Sequence, residues 1–498
     1  MHKKLTTQTA FSRLTGFLAA ISTLVSFLAF PAKLYADNSI TQLPEKALVW
    51  QADDELFSPS SPRLVDLNGN GTLDIVQGNI RRDGDSIVQA IDGKTGETMW
   101  VNGGFTDLFT SANFADFNGD GTADIVIGGR RVQLATISGK TGETIWQFER
   151  QAEHETWGNF YTSQIIGDIN GDGIPDILTT NGGDERRDKD RYPGLLLIIS
   201  GKTGKILKKL PSPDGQETYM SPVVINNQSD NPTILFGSGG ETLPGALWQI
   251  SLSDLLKENP DGFRRLINDE NKGFIAPPSI ADFTGNGVPD IVIQSFDGTI
   301  SLIDGKTHNI LWQLEMPEYE SIKTPTLGYF TGDDTPDIFV QLNKGVFPKY
   351  ETTRHMLLDG TDGSVLWQED IGRMSASGAV AIDLNSNGHD DIIFIANVDN
   401  PYTGIRQAHY YVLNTKKLEK TLWHKTERYI VANPWAGDMD QNGKIDVLIK
   451  NRDKNEQTVL SRYQLPVTAP DQTSWGSYMG SRFTGHLTPR PAQQSKQQ

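Results

Sequence analysis

"ADFNGDGTADIVIGG" (residues 115–129) sets four oxygen-bearing side chains, Asp116, Asn118, Asp120 and Asp124, at positions 1, 3, 5 and 9 of one tight turn, with Gly121 at position 6. Carboxylates crowded in this way repel one another. A hard cation that accepts carboxylate, amide and main-chain oxygens removes that repulsion, and calcium is the usual one. Gly121 supplies the positive φ that the sharp turn needs. A single copy would read as well as an ordinary Asn/Gly/Asp-rich hairpin.

The stretch is repeated along the chain. "DLNGNGTLDIV" offers Asp66, Asn68, Asn70 and Asp74, and "DINGDGIPDIL" offers Asp168, Asn170, Asp172 and Asp176. "DFTGNGVPDIV" offers Asp282, Thr284, Asn286 and Asp290, and "DLNSNGHDDII" offers Asp383, Asn385, Asn387 and Asp391. "DMDQNGKIDVL" offers Asp438, Asp440, Asn442 and Asp446. A damaged copy, "YFTGDDTPDIF", carries Tyr329 in place of the first aspartate. Another unit, "VVINNQSDNPTILFG" (223–237), keeps strand-like flanks but has Thr233 at position 9. These make eight units of about fifty-odd residues, six with a full ligand set, and predict about six Ca2+ ions.

Each unit has the same grammar. A short apolar strand starts from Ser, Thr or Pro ("SPRLVD", "TSANFAD", "APPSIAD"), the acidic loop follows, and a β-branched strand leaves it ("DIVIGG"). A third strand runs into a glycine turn and a fourth ends in tryptophan: "AIDGKTGETMW" (90–100), "TISGKTGETIW" (136–146), "LIDGKTHNILW" (302–312) and "LLDGTDGSVLW" (357–367). Only "SLSDLLKE" (251–258) reads as a short helix. Four short antiparallel strands at this period predict an all-β, eight-bladed β-propeller, with seven blades as the alternative count. "EKALVW" (45–50) ends in a tryptophan like the fourth strands but precedes the first loop, while the last unit stops near "LSRYQLPV" (460–467) after its third strand. The N-terminal strand is therefore expected to complete the last blade and remove the open edges. Trp50, Trp100, Trp146, Trp312, Trp367 and Trp423 then pack between blades.

The acidic loops resemble the FG-GAP/VCBS repeats of integrin α-subunits and of many secreted bacterial proteins. The tryptophan turns resemble those of quinoprotein dehydrogenases and outer-membrane assembly propellers, and "SWGSYMGSRFTGH" (474–486) resembles a Trp…Thr-Gly segment that often closes bacterial propellers. The resemblance implies a propeller over 45–466 and bound calcium; such rings host many roles.

Residues 1–36 carry Lys3, Lys4 and Arg13, then the apolar run "FLAAISTLVSFLAF" (17–30), then small residues to Ala36, the pattern of a secretory signal peptide. An uncleaved anchor is the alternative, for a run short for a span. After cleavage no membrane span is expected, and the mature chain is read as a bacterial secreted, periplasmic or cell-surface monomer. The absence of cysteine leaves bound metal as the staple of an exported ring. Fifteen aspartates at ligand positions account for much of the net charge of −17. Residues 467–498 are expected to form a partly disordered tail.

In such a ring the acidic loops and tryptophan turns share one face, and the second-to-third and fourth-to-first connections share the other. That second face carries the irregular sequence: "GNIRRDGDS" (78–86), "GGRRVQ" (128–133), "NGGDERRDKDRYPG" (181–194), "LNKGVFPKYETTRH" (342–355) and "NVDNPYTGIRQAH" (397–409). Arg81, Arg82, Arg130, Arg131, Arg186, Arg187 and Arg191 gather in the first three blades and suit a carboxylate- or sulfate-bearing partner. Interspersed Asp83, Asp184, Asp188 and Asp190 give the alternative of a solvated rim of local ion pairs. Net charge and export speak against nucleic acid. The sequence has no Walker loop, zinc spacing or GxSxG motif. Three functions stay open: a binding module for an acidic glycan or surface component, a lyase on uronate-containing glycans, and a protein-binding scaffold. A lyase needs a base, for which the candidates are His154, Tyr161, Tyr192, His355 and His409.

Overall fold

The computed structural model describes residues 42–53, 60–80, 85–149, 151, 154, 156–183, 191–226, 228–375 and 377–490. The expected leader and Arg81, Arg82, Arg186 and Arg187 lie outside them.

In the first blade, Arg63–Val65 pairs with Asp74–Ile80, which pairs with Asp85–Ile91, which pairs with Thr98–Thr106, all antiparallel. Seven further sheets repeat this order, so the ring has eight blades. Blades 3 and 6 add a two-residue strand, Asn159–Phe160 and Tyr319–Glu320. The last blade contains Trp435–Gly437, Lys444–Arg452 and Thr458–Thr468, and its fourth strand is the N-terminal Leu48–Asp53, with Trp50 opposite Arg462 and Asp53 opposite Val459. The unit without position-9 acid is a genuine blade, built on Val223–Ile225 and Thr233–Gly237. The one α-helix among the described residues, Leu252–Leu256, lies where the short helix was expected, with the Ser251 hydroxyl capping Asp254 N–H.

Burial follows position in the blade. The second strand Asp124–Gly129 is buried throughout, whereas the outer strand Thr98–Thr106 is mostly exposed or half-buried. A strand with neighbours on both faces reads as a continuous apolar run, which is why "DIVIGG" and its copies lack alternation. Two of the five expected loops are mainly strand. Asp337–Val346 and Lys349–Leu358 are joined by a tight turn, as are Asp391–Asp399 and Arg406–Asn414 by residues 400–405. Cross-strand pairing of "QLNKGV" with "KYETTR" continues the sheet past the point where polar residues suggested a loop.

Tryptophans join the blades. Nε1 of Trp50, Trp100, Trp146 and Trp312 donates to the carbonyl of Gly93, Gly139, Gly201 and Gly360 in the next blade, at 2.8, 2.8, 2.6 and 3.0 Å. Gly96, at φ +77°, lies against the Trp50 ring, where a Cβ would stand 2.8 Å from an indole carbon. The glycine of the turn is thus required both by its backbone conformation and by the neighbouring blade's ring.

At the other end, the Ser/Thr residues that start the inner strands tie blade to blade. Asn433 N–H donates to Ser61 Oγ, Ser61 N–H to Ser111 Oγ, Ser111 N–H to Thr162 Oγ1, and Thr162 N–H to Ser221 Oγ. Ser279 donates to Pro325 O, Thr326 to Ala379 O, and Gly378 N–H to Asn433 Oδ1.

Equivalent register positions of the inner strands, two residues ahead of the partner of the position-9 acid, form one layer around the axis: Arg63, Asn113, Gln164, Val223, Ser279, Thr326, Val380 and Trp435. Residues 473–488 of the C-terminal segment run along this axis. Trp475 bridges Ala381, Gly476 O accepts from Ala436 N–H, Phe483 O accepts from Gln164 Nε2, and His486 bridges Ile280. Thr488 N–H returns to Ser474 O at 3.1 Å, so the segment doubles back as a plug. Trp475 and Met479, buried at 1% and 0% exposure, make it part of the core.

Candidate functional site

The repeated loops place their oxygens by main-chain capping. In the loop at 116, Asp116 Oδ1 accepts from Gly119 N–H and Asp120 N–H, and Oδ2 accepts from Gly121 N–H at 2.9 Å. Asn118 Oδ1 accepts from Asp120 N–H, and Asp120 Oδ1 from Thr122 N–H. The loops at 66 and 168 repeat these bonds one for one. The same Oδ2 contact to the position-6 glycine holds at Asp282, Asp383 and Asp438.

Position 9 has a second role. Asp74 is fully buried; its Oδ2 accepts from Leu67 N–H and its Oδ1 from Gly93 N–H of the tryptophan turn, both at 2.9 Å. Asp124, Asp176, Asp290 and Asp337 join loop and turn likewise. Desolvation raises the pKa of Asp74, Asp124 and Asp176, and takes Asp337 to about 6. Position 9 therefore locks the two repeated motifs together in blades 1, 2, 3, 5 and 6, whatever else it touches.

Two loops show what these oxygens want. In the loop at 383, Asn385 Oδ1 and Asp391 Oδ1 are buried without a hydrogen-bond partner, and burial, then Asp383 and Asp390, drives Asp391 up to about 8. Orphaned oxygens at positions 3 and 9 fit a hard cation. In the loop at 438, oxygens of Asp438, Asp440 and Asp446 lie within 4.8 Å of one another. The chain supplies a cation there itself. Arg462, 2% exposed, donates through Nη2 to Asp440 at 2.7 Å, through Nε to Asp446 at 2.9 Å, and through Nη1 to Gly93 O at 2.9 Å. One guanidinium thus bridges two of the three carboxylates of the last loop and fastens it to the first blade. At the damaged loop, Arg490 lies 4.6 Å over the Tyr329 ring and 3.5 Å from Asp390.

The irregular face carries a cleft of about 250 Å3 beside blade 3, lined by Trp157, Asn181, Arg191, Tyr192, Lys209 and Glu217 among others. Arg191 Nη1 donates to Glu217 Oε1 at 2.7 Å and to Tyr219 Oη at 3.3 Å, and Tyr219 donates to the same Glu217 oxygen at 2.9 Å. Glu217 is 3% exposed, and its hydrogen bond raises the Arg191 pKa further. Nε and Nη2 of Arg191 make no hydrogen bond among the described residues, so the guanidinium is held by one corner with donors left over. A second triad joins a glutamate and a tyrosine to a lysine instead of an arginine: Glu320, buried, is paired with Lys272 and accepts from Tyr350 Oη at 2.7 Å.

Of the expected arginines that are described, Arg130 is ion-paired with Asp107 at 2.9 Å and covers the Phe109 ring, and Arg131 is exposed. With Arg191 on Glu217, local pairing accounts for two of the three. The candidate bases are spread apart. His154 is buried between Phe148 and Trp157, its Nδ1 accepting from Gln151 N–H. Tyr161 is buried, and desolvation holds its phenol well above the usual range. His355 lies fully buried in blade 6 against Phe339 and Phe394, with Gln341 and Ile371 O on its two nitrogens, and burial lowers it to about 4. His409, beside Tyr411, is likewise lowered to about 4. Only Tyr192, 39% exposed, lines the cleft.

Sequence reasoning missed Glu217, Tyr219, Trp157, Glu320 and Arg462, which sit in no repeated motif. The one available signal was a glutamate and a tyrosine, two residues apart, in "DGQETYMSP" (214–222), a fourth-to-first connection.

The family model of the FAM234A/B beta-propeller matches residues 85–382. No curated protein sequence matches the chain. Among solved structures, BamB from Moraxella catarrhalis is similar at 14% identity and a TM-score of 0.50, covering 84% of this chain and 97% of its own. A europium-containing methanol dehydrogenase is similar at 11% identity and 0.56, covering 84% and 93%. A rhamnogalacturonan lyase PL11 of Bacillus licheniformis is similar at 11% identity and 0.52, covering 88% and 81%. At such identities the three share the fold alone. The family match spans more than half of the 498 residues, and the blades close as that architecture requires: the chain belongs to the FAM234A/B beta-propeller family.

Proposed function

We propose that this chain is an exported, calcium-stapled propeller that binds an acidic polysaccharide at the cleft of blade 3. The supporting observation is Arg191: a half-exposed guanidinium fixed by Glu217 and Tyr219, with donors left over at a cleft that Tyr192 and Lys209 also line. A pre-oriented fork suits a carboxylate or sulfate, and an aromatic edge suits a sugar ring. Calcium belongs to the opposite face. The loops at 66, 116, 168, 282 and 383 would hold it through positions 1, 3 and 5, with position 9 behind them, and the ion would supply neutralisation and rigidity there. Export rests on residues 1–36.

Affinity electrophoresis against polygalacturonate, alginate and heparin, with neutral dextran as control, tests the proposal. Retention by an acidic polymer that falls about fivefold in Tyr192→Ala, on the order of 1 kcal/mol, and more steeply in Lys209→Glu, is the expected result. Retention unaffected by either change would move the ligand elsewhere. Release of unsaturated uronate product, read by ultraviolet absorbance, would make the chain a lyase. Indifference to every polymer would leave a protein-binding scaffold.

A further inference from the structure

The axial layer of the ring contains one charged residue, Arg63, among eight equivalent positions. Its polar counterparts are satisfied: Asn113 donates to Ser163 O, Gln164 to Phe483 O, Ser279 to Pro325 O and Thr326 to Ala379 O. Arg63 is not. It is 0% exposed, and Nε, Nη1 and Nη2 all lack a hydrogen-bond partner. Its guanidinium carbon lies 4.1 Å from the centre of the Phe483 ring and 5.6 Å from that of Tyr478, both on the axial plug. Burial lowers its pKa to about 9, so the group still carries its charge at neutral pH.

A cation–π contact covers the flat face of a guanidinium and offsets part of its desolvation, but the N–H donors lie in the plane, on the edge. A buried charge with every donor unmet is costly enough that folded proteins pair it. No carboxylate forms an ion pair with it among the described residues, and the Tyr478 phenol beside it is kept neutral by burial. The plug makes the site: the strand brings Arg63 to the axis, and Phe483 and Tyr478 seal it from one side. Lys323, just ahead of the blade 6 inner strand, is also lowered by burial, to about 8. The Arg63 guanidinium is therefore enclosed under the plug with its charge unpaired.

We propose that the axis of the propeller holds a small inorganic anion of halide size, bound to the edge of the Arg63 guanidinium beneath the plug formed by residues 473–488. The enclosure excludes anything larger: with zero exposure, neither a sugar acid nor a phosphate ester reaches it. The ion neutralises the buried charge and fixes the plug, so it is a structural cofactor of ring closure, independent of the cleft and of the acidic loops.

The full-length mature chain is crystallised and soaked in sodium bromide, and anomalous scattering is collected at the bromine edge. A bromide peak within hydrogen-bond distance of Arg63 nitrogens is the expected result. In parallel, thermal unfolding is followed in sodium chloride and in sodium gluconate at equal ionic strength. The wild-type chain should melt several degrees higher in chloride, and Arg63→Met should lose that difference while keeping its response to calcium. Should Arg63→Met fail to fold, the bromide experiment on the wild type decides alone. No bromide at Arg63, with equal melting in chloride and gluconate, overturns the proposal and leaves ordered water as the partner.

Discussion

The two faces of this ring are built by opposite rules. On the loop face the same bonds recur from blade to blade: position-1 aspartates cap their own turns in six loops, position-9 aspartates join loop to tryptophan turn in five, and the indoles of Trp50, Trp100, Trp146 and Trp312 reach the next blade's glycine carbonyl. On the irregular face nothing repeats except the hydroxyl bonds at the start of the inner strands. Charged residues there meet in singular clusters, Arg191–Glu217–Tyr219 and Lys272–Glu320–Tyr350. Stability is therefore distributed over one face, while recognition can vary on the other without disturbing closure.

The largest expected effect tests closure of the repeated face. Removing residues 37–53 deletes the outer strand of blade 8, with Trp50 on Gly93 and five paired positions on Thr458–Thr468. The truncated chain should lose cooperative unfolding or associate through its exposed edge, read by sedimentation and by melting. Trp50→Ala alone should cost about 3–5 kcal/mol, since it removes a buried indole from the seam. A truncated chain that stays monomeric and melts normally would show that closure does not depend on this strand.

Cation removal comes next. If calcium occupies the loops, excess EGTA should lower the melting temperature well beyond any ionic-strength effect. Metal analysis should find five ions per chain and not six, because Arg462 already bridges Asp440 and Asp446. Arg462→Gln should then bind one ion more and be less stable in its absence. No calcium in the purified chain, with melting unchanged by EGTA, would leave the capping hydrogen bonds as the sole support of the loops.

A smaller effect separates blade 6 from its neighbours. His355 is neutral in the core with a pKa of about 4, against about 6.5 in an unfolded chain. The unfolded state binds the extra proton between those values, so stability is full above pH 6.5 and is lost as the pH falls toward 4, by about 3 kcal/mol. Subtracting the pH profile of His355→Leu from that of the parent isolates this contribution. Parallel profiles between pH 7 and 4 would mean that His355 titrates normally and is less enclosed than described.

Much of the loop face was legible because its residues act in their own blade: the position-9 aspartate always stands eight residues after position 1, and each that meets a turn glycine, as Asp74 meets Gly93, meets the one in its own blade. Blade number, strand order and the closing strand follow from that period. The contacts that were not legible join distant parts of the chain. Arg462 reaches the first blade across 369 residues, and Gln164 meets Phe483 across 319. The segment 474–486 carried a pattern, but nothing in it says that Trp475 enters the core. Likewise "LNKGVFPKYETTRH" looked like a decorated loop because polar residues are interleaved with buried ones along a hairpin, the kind of mixture that a half-buried strand needs.

The smallest expected effect is the most direct probe of the division between faces. Arg131 is exposed and Lys209 and Tyr192 line the cleft; none of them takes part in a tryptophan seam or an acidic loop. Arg131→Glu, Lys209→Glu and Tyr192→Ala should each change unfolding free energy by no more than about 0.5 kcal/mol, the usual range for surface positions away from caps and cores. Arg191 is the control in the opposite sense. Its removal leaves Glu217 buried without its cation, so Arg191→Met should destabilise by about 3 kcal/mol or more and should be partly rescued by Glu217→Gln. Chemical denaturation of the parent and the five variants gives both numbers at once. If the three surface changes are silent while Arg191→Met is not, the cleft has a rigid anchor and a tolerant rim, the arrangement expected of a site that changes its ligand without losing its ring. If all four destabilise alike, the irregular face carries stability as the loop face does, and the contrast between them fails.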